Sequence, residues 1–164
     1  MGKKDEIAID IMKKEDLDQV LAIEKSSFSS PWSRNLFLSE FRSPLVSNLM
    51  VALCDGPVRT VVGFIVFWVV EDEMHILNLA VAPAFRRQGI AGKLVLAAIR
   101  RARAKGAQKA FLEVRASNAA AQKLYSGIGF TGTSVRRGYY EEPAEDAVIM
   151  TLEQGAFERL AERL

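Results

Sequence analysis

Two hydrophobic patterns meet at Arg86-Arg87-Gln88-Gly89-Ile90-Ala91-Gly92-Lys93, a basic stretch that contains two glycines. Before it, the apolar run Ile76–Val81 predicts a buried strand, which ends at Pro83. After Gly89 the apolar residues recur at helical spacing. The first turn of a helix has unpaired N–H donors and a partial positive charge, and glycines let a ligand approach the backbone. The stretch therefore predicts a site for a pyrophosphate-bearing ligand. The predicted inner face of the helix comprises Leu94, Val95, Ala98, Ile99 and Ala102.

The composition is that of one ordinary globular domain. The chain has 164 residues, of which 49% are hydrophobic and 26% charged. We expect a single domain over residues 1–164, with its core at about 7–152 and a tail at 153–164. The net charge of +2 does not favour a general nucleic-acid binder. Seven basic residues and no acidic one lie between Arg86 and Lys105. We assign Arg86 and Arg87 to the anionic ligand and the later ones mostly to a solvated helix face.

The cysteine and histidine content argues against a catalytic triad and a zinc site. The single cysteine, Cys54, cannot form an internal disulfide, so we expect a cytoplasmic location, and its apolar neighbours predict a core position. The single histidine, His75, has no second metal-type ligand at useful spacing, so no metal is expected. The first six residues lack the apolar segment of a signal peptide, so no leader is expected. Val61–Val70 is too short to span a bilayer as a helix and predicts a central strand.

The remaining periodicity predicts a mixed α/β sheet with the element order β-α-α-β-β-β-α-β-α-β-β. The spacing of Gly89 and Gly92 fits neither a dinucleotide-binding Rossmann loop nor a Walker A loop. Residues 155–164 are predicted as a frayed helix. The predicted strands are 7–12, 47–53, 60–70, 74–81, 109–115, 130–135 and 147–152. The predicted helices are 15–25, Ser33 (as N-cap) to about 41, Gly89 to Gly106, and 118 to about 126, stopped by Gly127 and Gly129.

A carboxylate inside an apolar strand is the second chemical feature. Glu113 lies within Phe111–Arg115, and a buried carboxylate is costly without a partner or a task. It is therefore a candidate catalytic residue. Asn118 begins the next helix, and Tyr125 follows two turns along it. Tyr125 also has the plainer interpretation of a core aromatic with its hydroxyl at the surface, and Arg115 that of an ion pair with a nearby acid.

These motifs resemble those of the GNAT (GCN5-related) N-acetyltransferases over nearly the whole chain. Arg86–Ala91 matches the R/Q-x-x-G-x-G/A motif, with Ala91 where many members have a second glycine. The helix Asn118–Tyr125, followed by Gly129-Phe130, is similar as well. Four further segments are similar to the RimI-type branch, the bacterial ribosomal-protein-alanine N-acetyltransferases: Ser30–Ser33, Leu112–Asn118, Arg136–Tyr140 and Glu145–Ala147.

The resemblance implies acetyl transfer from acetyl-CoA to the α-amine of a protein N-terminus, with the N-terminal alanine of ribosomal protein S18 as the expected substrate. It implies Glu113 as proton acceptor, Tyr125 as proton donor and Asn118 as a contact of the pantetheine arm, without a metal. A monomer or weak dimer is expected, with no nucleic-acid or membrane partner. The other implied acetyl-CoA contacts are Leu79, Ala80, Val81, Arg86, Arg87, Gln88, Gly89, Ile90, Ala91 and Gly92.

Three aromatic residues are candidates for contact with the substrate peptide. Trp32 either lines the peptide groove or anchors the helix after Ser33 in the core. Tyr139 and Tyr140 are predicted in a basic, glycine-containing turn between two strands, where adjacent tyrosines favour binding. The acids expected to be solvated are Glu141, Glu142, Glu145 and Asp146.

Three other functions stay open on the sequence alone. The same fold serves acetyltransferases for lysine side chains, polyamines or antibiotics. A regulatory module that binds acetyl-CoA without turnover is the second, although Glu113 and Tyr125 are both present. A nucleic-acid-binding protein that uses the basic segment 86–105 ranks last, because no stacking aromatics interleave with its charges.

Overall fold

The structure is a computed structural model that describes residues 5–163. Residues 1–4, where no leader is expected, and residue 164 lie outside this range. Within it, seven strands and five α-helices follow the predicted order, and two short 3₁₀-helices cover Lys14–Asp16 and Pro83–Phe85. The strands are β1 (Ile7–Ile11), β2 (Ser47–Cys54), β3 (Thr60–Val70), β4 (Glu73–Val81), β5 (Lys109–Arg115), β6 (Thr131–Glu141) and β7 (Ala144–Leu152). The helices are α1 (Leu17–Ser27), α2 (Arg34–Phe41), α3 (Ile90–Ala104), α4 (Ala119–Ile128) and α5 (Gln154–Ala161).

The strands form one mixed sheet in the order β1-β2-β3-β4-β5-β7-β6, which confirms the predicted fold class. β4 and β5 are parallel, with pairs that run from Glu73 opposite Lys109 to Ile76 opposite Leu112. A parallel pair needs a crossover connection, and α3 supplies it. β1 with β2, β5 with β7, and β6 with β7 are antiparallel. The predicted central strand is β3, which is buried along most of its length.

Contacts between Cα atoms divide the chain into two compact units. The first unit contains the chain up to Val66 together with Asn78–Ala97, and hence β1, β2, α1 and α2. The second contains Phe67–Leu77 and the chain from Ala98 onward, and hence β5, β6, β7, α4 and α5. β3, β4 and α3 are each divided between the two units. The expected single-domain organisation stays a prediction.

Local sequence signals explain the helices. The Ser33 side chain accepts a hydrogen bond from the backbone N–H of Leu36, so it is the predicted N-cap of α2. The predicted inner face of α3 is confirmed, because all five of its residues are fully buried. α5 is firmly packed rather than frayed, since Phe157 and Leu160 are buried. Among residues 5–163, no helix combines the length and apolar character needed to cross a membrane.

Several boundaries differ from the predictions. Gly127 lies inside α4, which ends only at Gly129, where the chain turns with φ +131°. Both strands of the last hairpin are longer than predicted, because cross-strand pairing carries them to Glu141 and Ala144. Cys54 is half-buried rather than in the core, because it ends β2 opposite Ile7 of β1.

Candidate active site

Glu113 lies on β5, in the second unit, with its side chain only 8% exposed. Side chains alternate between the two faces of a strand, so Glu113 shares a face with Phe111. The parallel register places His75 of β4 opposite Phe111. His75 therefore reaches the same face, and its Nε2 lies 2.6 Å from Oε2 of Glu113. The predicted catalytic carboxylate is thus half of a hydrogen-bonded pair.

Two aromatic rings pack against the His75 imidazole. The Phe111 ring stacks on it with 4.2 Å between centroids and 16° between planes. Trp68 of β3 meets it edge-on, with 6.0 Å between centroids. Because both rings restrict rotation of the imidazole, Nε2 stays directed at Glu113.

Glu113 is ionised at neutral pH despite its position. Burial alone would raise its pKa, but the hydrogen bond and charge of His75 and the charge of Arg136 together lower it below the usual value for glutamate. Nη1 of Arg136 lies 3.7 Å from Oε1 of Glu113, so both carboxylate oxygens have a partner. The site therefore holds an oriented proton acceptor. Within the described residues, no group of three or more His, Cys, Asp or Glu side chains is placed to hold a metal ion.

Tyr125, the predicted proton donor, is a core aromatic residue on α4 and is only 6% exposed. Burial raises its pKa well above that of a free phenol, and Tyr140 raises it further. The Phe130 ring packs edge-on against it, with 5.4 Å between centroids. The phenol therefore keeps its proton at neutral pH, the state that a proton donor requires.

Tyr139 and Tyr140 lie within β6 and not in the predicted turn. The β6–β7 register shifts between Arg136 and Tyr140, and the two tyrosine rings contact each other edge-on, with 5.0 Å between centroids. The guanidinium of Arg136 lies 5.8 Å from the centre of the Tyr139 ring, and that of Arg115 lies 4.1 Å from the Tyr140 ring. Burial raises the pKa of Tyr140 to about 12. The second unit therefore brings Tyr139 close to Arg136, a partner of Glu113, and Tyr140 into contact with Tyr139.

The end of β5 leads into α4 through a polar junction. Arg115 forms the expected ion pair, with Nη1 3.3 Å from Oε2 of Glu145. Glu145 is half-buried rather than solvated, because it also accepts the backbone N–H of Ser117. Asn118 is the N-cap of α4, and its Oδ1 accepts the backbone N–H of Ala121 at 3.1 Å. A pantetheine contact through the remaining amide nitrogen of Asn118 stays a prediction.

The predicted phosphate loop lies between β4 and α3, in the first unit. Its backbone passes through the left-handed region at Arg87 (φ +61°) and Gly89 (φ +78°). A Cβ atom added at Gly89 or Gly92 would meet nothing within 4 Å, so the space beside the backbone is open, as a close-binding phosphate requires. Ile90 is buried and anchors the first turn of α3 under the exposed residues 86–89.

Arg86 is engaged by the protein itself. Its Nε donates to the carbonyl oxygen of Val81 at 2.9 Å, and its Nη2 donates to Oγ of Ser27 at 3.1 Å. Arg86 thereby ties the loop to the end of β4 and to α1. Ala80 and Val81 are buried and Leu79 is half-buried, and a ligand contact through their backbone groups stays a prediction.

Comparison with known proteins establishes the family. Residues 17–130 match the model of the Acetyltransferase (GNAT) family. The chain belongs to this family. It is also 36% identical over 147 residues to the [ribosomal protein bS18]-alanine N-acetyltransferase of Haemophilus ducreyi, which covers 88% of this chain and 98% of the relative.

Solved structures agree with this membership. The crystal structure of the ribosomal-protein-S18-alanine N-acetyltransferase from Escherichia coli is similar, with a TM-score of 0.80, 33% identity and coverage of 91% of this chain and 94% of that chain. A chain of the NatC complex bound to Gag peptide and CoA has a TM-score of 0.78 and 26% identity, with coverage of 90% and 98%. The protein is therefore an acetyl-CoA-dependent N-acetyltransferase of the GNAT family.

In this GNAT protein, Trp32 is held by contacts within the first unit. Its ring packs on that of Phe37, with 5.2 Å between centroids, and its backbone N–H donates to Oε1 of Glu24 at 2.9 Å. Asn78 of β4 donates to the other Glu24 oxygen at 2.8 Å. Burial raises the pKa of Glu24, and these two donors partly offset that effect. The contacts favour the anchoring interpretation of Trp32, and a role in peptide binding stays a prediction.

Sequence reasoning missed several polar residues that the structure places in these clusters. His75 sits at an alternating, half-buried position of β4, and Glu24 sits one turn from Val20 on the apolar face of α1. A polar residue on an apolar face was the available signal in both cases. Asn78 carried the same signal, because it lies on the buried face of β4. Arg136 gave no comparable signal, because its contact with Glu113 depends on tertiary packing.

Proposed function

We propose that this N-acetyltransferase transfers the acetyl group of acetyl-CoA to the α-amine of a protein N-terminus, and that its substrate is the N-terminal alanine of ribosomal protein bS18. The similar proteins of Haemophilus ducreyi and Escherichia coli are ribosomal-protein-S18-alanine N-acetyltransferases, which supports this substrate. The single observation that carries the mechanism is the buried, ionised Glu113 hydrogen-bonded to His75.

Glu113 is the proton acceptor in this proposal. An N-terminal amine has a pKa near 8 and is largely protonated at neutral pH, so it must lose a proton before it attacks a thioester carbonyl. The Glu113 carboxylate takes that proton, directly or through one water molecule. His75 and Arg136 hold one carboxylate oxygen each and keep the group ionised until the amine arrives.

Tyr125 is the proton donor. The thiolate that leaves the acetyl group is stabilised by a proton, and the buried phenol of Tyr125 retains one at neutral pH. The amine attacks the thioester directly, Glu113 accepts the amine proton and Tyr125 protonates the leaving thiolate. This route requires no covalent enzyme intermediate. This agrees with the raised pKa of the Cys54 thiol, which burial and the carboxylates of Asp5 and Asp55 cause.

The first unit supplies the acetyl-CoA contacts in this proposal. The space beside Gly89 and Gly92 is open at the positively polarised end of α3, which suits a pyrophosphate bound by the N–H groups of 87–92. A backbone N–H of Leu79–Val81 polarises the thioester carbonyl. Arg86 supports the loop through Val81 and Ser27. In the second unit, Asn118 contacts the pantetheine arm.

Release of CoA from acetyl-CoA with three peptides tests the proposal. One peptide carries the N-terminal sequence of bS18, one begins with alanine in an unrelated sequence, and one has a blocked N-terminus and an internal lysine. Turnover of the first two only supports N-terminal specificity, and preference for the first supports bS18. Turnover of the lysine peptide alone overturns the proposed acceptor, and silence on all three with acetyl-CoA bound indicates a small-amine acceptor or a regulatory binder.

A pair of variants tests the mechanism in the same assay. Glu113→Gln is expected to lower kcat by about 10²–10⁴-fold and to leave acetyl-CoA binding intact, because the amide cannot accept the proton. Glu158→Gln makes the same change at an exposed position of α5 and serves as the control. A wild-type kcat in Glu113→Gln would show that Glu113 is not the proton acceptor.

A further inference from the structure

The guanidinium of Arg115 holds the tip of the β6–β7 hairpin through several groups at once. Nη2 donates to the carbonyl oxygen of Glu142 at 3.0 Å, and Nη1 donates to that of Pro143 at 2.9 Å. Nη1 also lies 3.3 Å from the Glu145 carboxylate. The Cζ atom lies over the Tyr140 ring, 4.1 Å from its centre. One side chain of β5 therefore fixes both the backbone and an aromatic ring of the neighbouring hairpin.

This arrangement needs an arginine. A planar guanidinium can donate to two consecutive carbonyls while its face lies on an aromatic ring, whereas a lysine ammonium is a point charge that cannot do both. The side chains of Arg115 and Glu145 are only 23% and 18% exposed, so solvent weakens their interaction less than at an open surface.

Glu145, the acidic partner of Arg115, also contacts the segment that leads into α4. The second oxygen of Glu145 accepts the backbone N–H of Ser117. Ser117 directly precedes Asn118, whose side chain caps the helix that carries Tyr125. The hairpin tip and the start of α4 are thus joined through two side chains.

Arg115 also belongs to the strand face of Glu113. The two residues are two positions apart on β5, so their side chains project from the same face. Arg136, which pairs with Glu113, lies 5.8 Å from the centre of the Tyr139 ring, and that ring contacts Tyr140 edge-on. Arg115 holds the Tyr140 ring at the other end of this set of contacts.

We propose that Arg115, together with Glu145, is a positioning residue for the acceptor peptide. It holds Tyr140 and the hairpin tip where the first residues of an acceptor polypeptide bind beside Glu113, and it contributes to acceptor affinity and not to acetyl-CoA affinity. The inference rests on the proposed function, because it assumes that the acceptor is a polypeptide N-terminus.

Arg115→Lys is the informative variant, because it keeps the charge opposite Glu145 and removes the two-carbonyl and ring contacts. We expect the KM for the alanine peptide to rise by roughly tenfold, with kcat and the KM for acetyl-CoA within about twofold of wild type. Arg103→Lys is the matched control, since Arg103 pairs with Glu162 at 3.2 Å on the exposed surface of the second unit.

Tyr140→Leu separates positioning from simple stabilisation of the hairpin. If Arg115 acts through the Tyr140 ring, the double variant raises the peptide KM by less than the product of the two single effects. Independent, multiplying effects overturn the coupling. A lowered Tm in Arg115→Lys with an unchanged peptide KM also overturns the proposal and assigns Arg115 a purely structural role.

The two proposals fail in different ways. If the wild-type enzyme acetylates only a lysine peptide or a small amine, the proposed N-terminal acceptor is wrong. The same variants are then measured on the acceptor that reacts. A rise in its KM confined to Arg115→Lys and Tyr140→Leu keeps Arg115 as a positioning residue, and no rise rejects it.

Discussion

His75 and Glu113 are 38 residues apart in the chain, and yet Nε2 of the imidazole lies 2.6 Å from Oε2 of the carboxylate. Stacking on Phe111 holds the imidazole, and Arg136 lies near the other carboxylate oxygen. These contacts outweigh the effect of burial on the pKa of Glu113, which is lowered. The charge and the orientation of the proposed proton acceptor thus depend on His75.

Replacing His75 with phenylalanine is expected to reduce activity and to change its pH dependence. Phenylalanine keeps a ring for Phe111 to stack on and removes the hydrogen bond. Burial then dominates, so the pKa of Glu113 rises and the acid limb of the kcat/KM profile moves to higher pH. Loss of the hydrogen bond also lets the carboxylate turn away from the amine, so kcat/KM at neutral pH is expected to fall by about tenfold or more.

His75→Gln is the matched variant for that experiment, because its side-chain amide can donate from nearly the same position as Nε2. It is expected to retain more activity than His75→Phe and to have an intermediate pH profile. An unmoved acid limb in His75→Phe, with normal acetyl-CoA binding, would contradict the dependence of Glu113 on His75.

Gly89→Ala is expected to weaken acetyl-CoA binding. Gly89 has φ +78°, and an L-residue with a side chain is disfavoured there by about 1–2 kcal/mol. Relief of that strain displaces the N–H groups of the loop, so the KM for acetyl-CoA rises several-fold. Gly138→Ala is the control, because Gly138 has φ +63° and equal open space but lies on β6. Equal KM values for acetyl-CoA in both variants would refute the role of the loop.

The sequence predicted most of the fold because its signals are local. Ser33 as a helix cap and the inner face of α3 depend only on neighbouring residues, and the structure confirms both. Glu113 was recognisable as a candidate because it is a carboxylate within the apolar segment Phe111–Val114. The pairing of Glu113 with His75 was not recognisable, because the contact depends on which residue of β4 lies opposite which residue of β5. The position of Tyr140 depends similarly on a register shift between β6 and β7, and the local sequence pattern does not predict that shift.

Gly63→Ala is expected to destabilise the protein. A Cβ at Gly63 of β3 would lie 3.1 Å from the carbonyl oxygen of Ala80 and 3.2 Å from Cδ1 of Leu94. Overpacking of this kind costs about 1–3 kcal/mol in the free energy of unfolding, measurable by urea titration. Gly127→Ala is the opposite case, because Gly127 lies inside α4 with nothing within 4 Å, and it is expected to stabilise by about 0.5–1 kcal/mol. An unchanged midpoint for Gly63→Ala would show that β3 and its neighbours can separate without cost.

Asp16 is expected to make stability depend on pH on the acid side. Burial alone would raise its pKa, but Arg59 and the backbone N–H of Lys13 lower it below 3.8. Arg59 binds both carboxylate oxygens, with Nε 2.8 Å from Oδ1 and Nη2 3.0 Å from Oδ2. Because the folded-state pKa is the lower one, the ionised form stabilises the protein above the unfolded pKa, and this contribution is lost as the pH falls through the folded value.

Asp16→Asn should therefore lower the free energy of unfolding at pH 7 by about 1.5–3 kcal/mol and flatten its decline below about pH 4. Urea titrations of both proteins between neutral and acid pH measure this. Asp18→Asn is the control, since Asp18 forms its ion pair with Arg34 at the exposed surface and is expected to contribute little. Parallel pH curves for wild type and Asp16→Asn would show that the buried Arg59 pair does not carry the acid sensitivity.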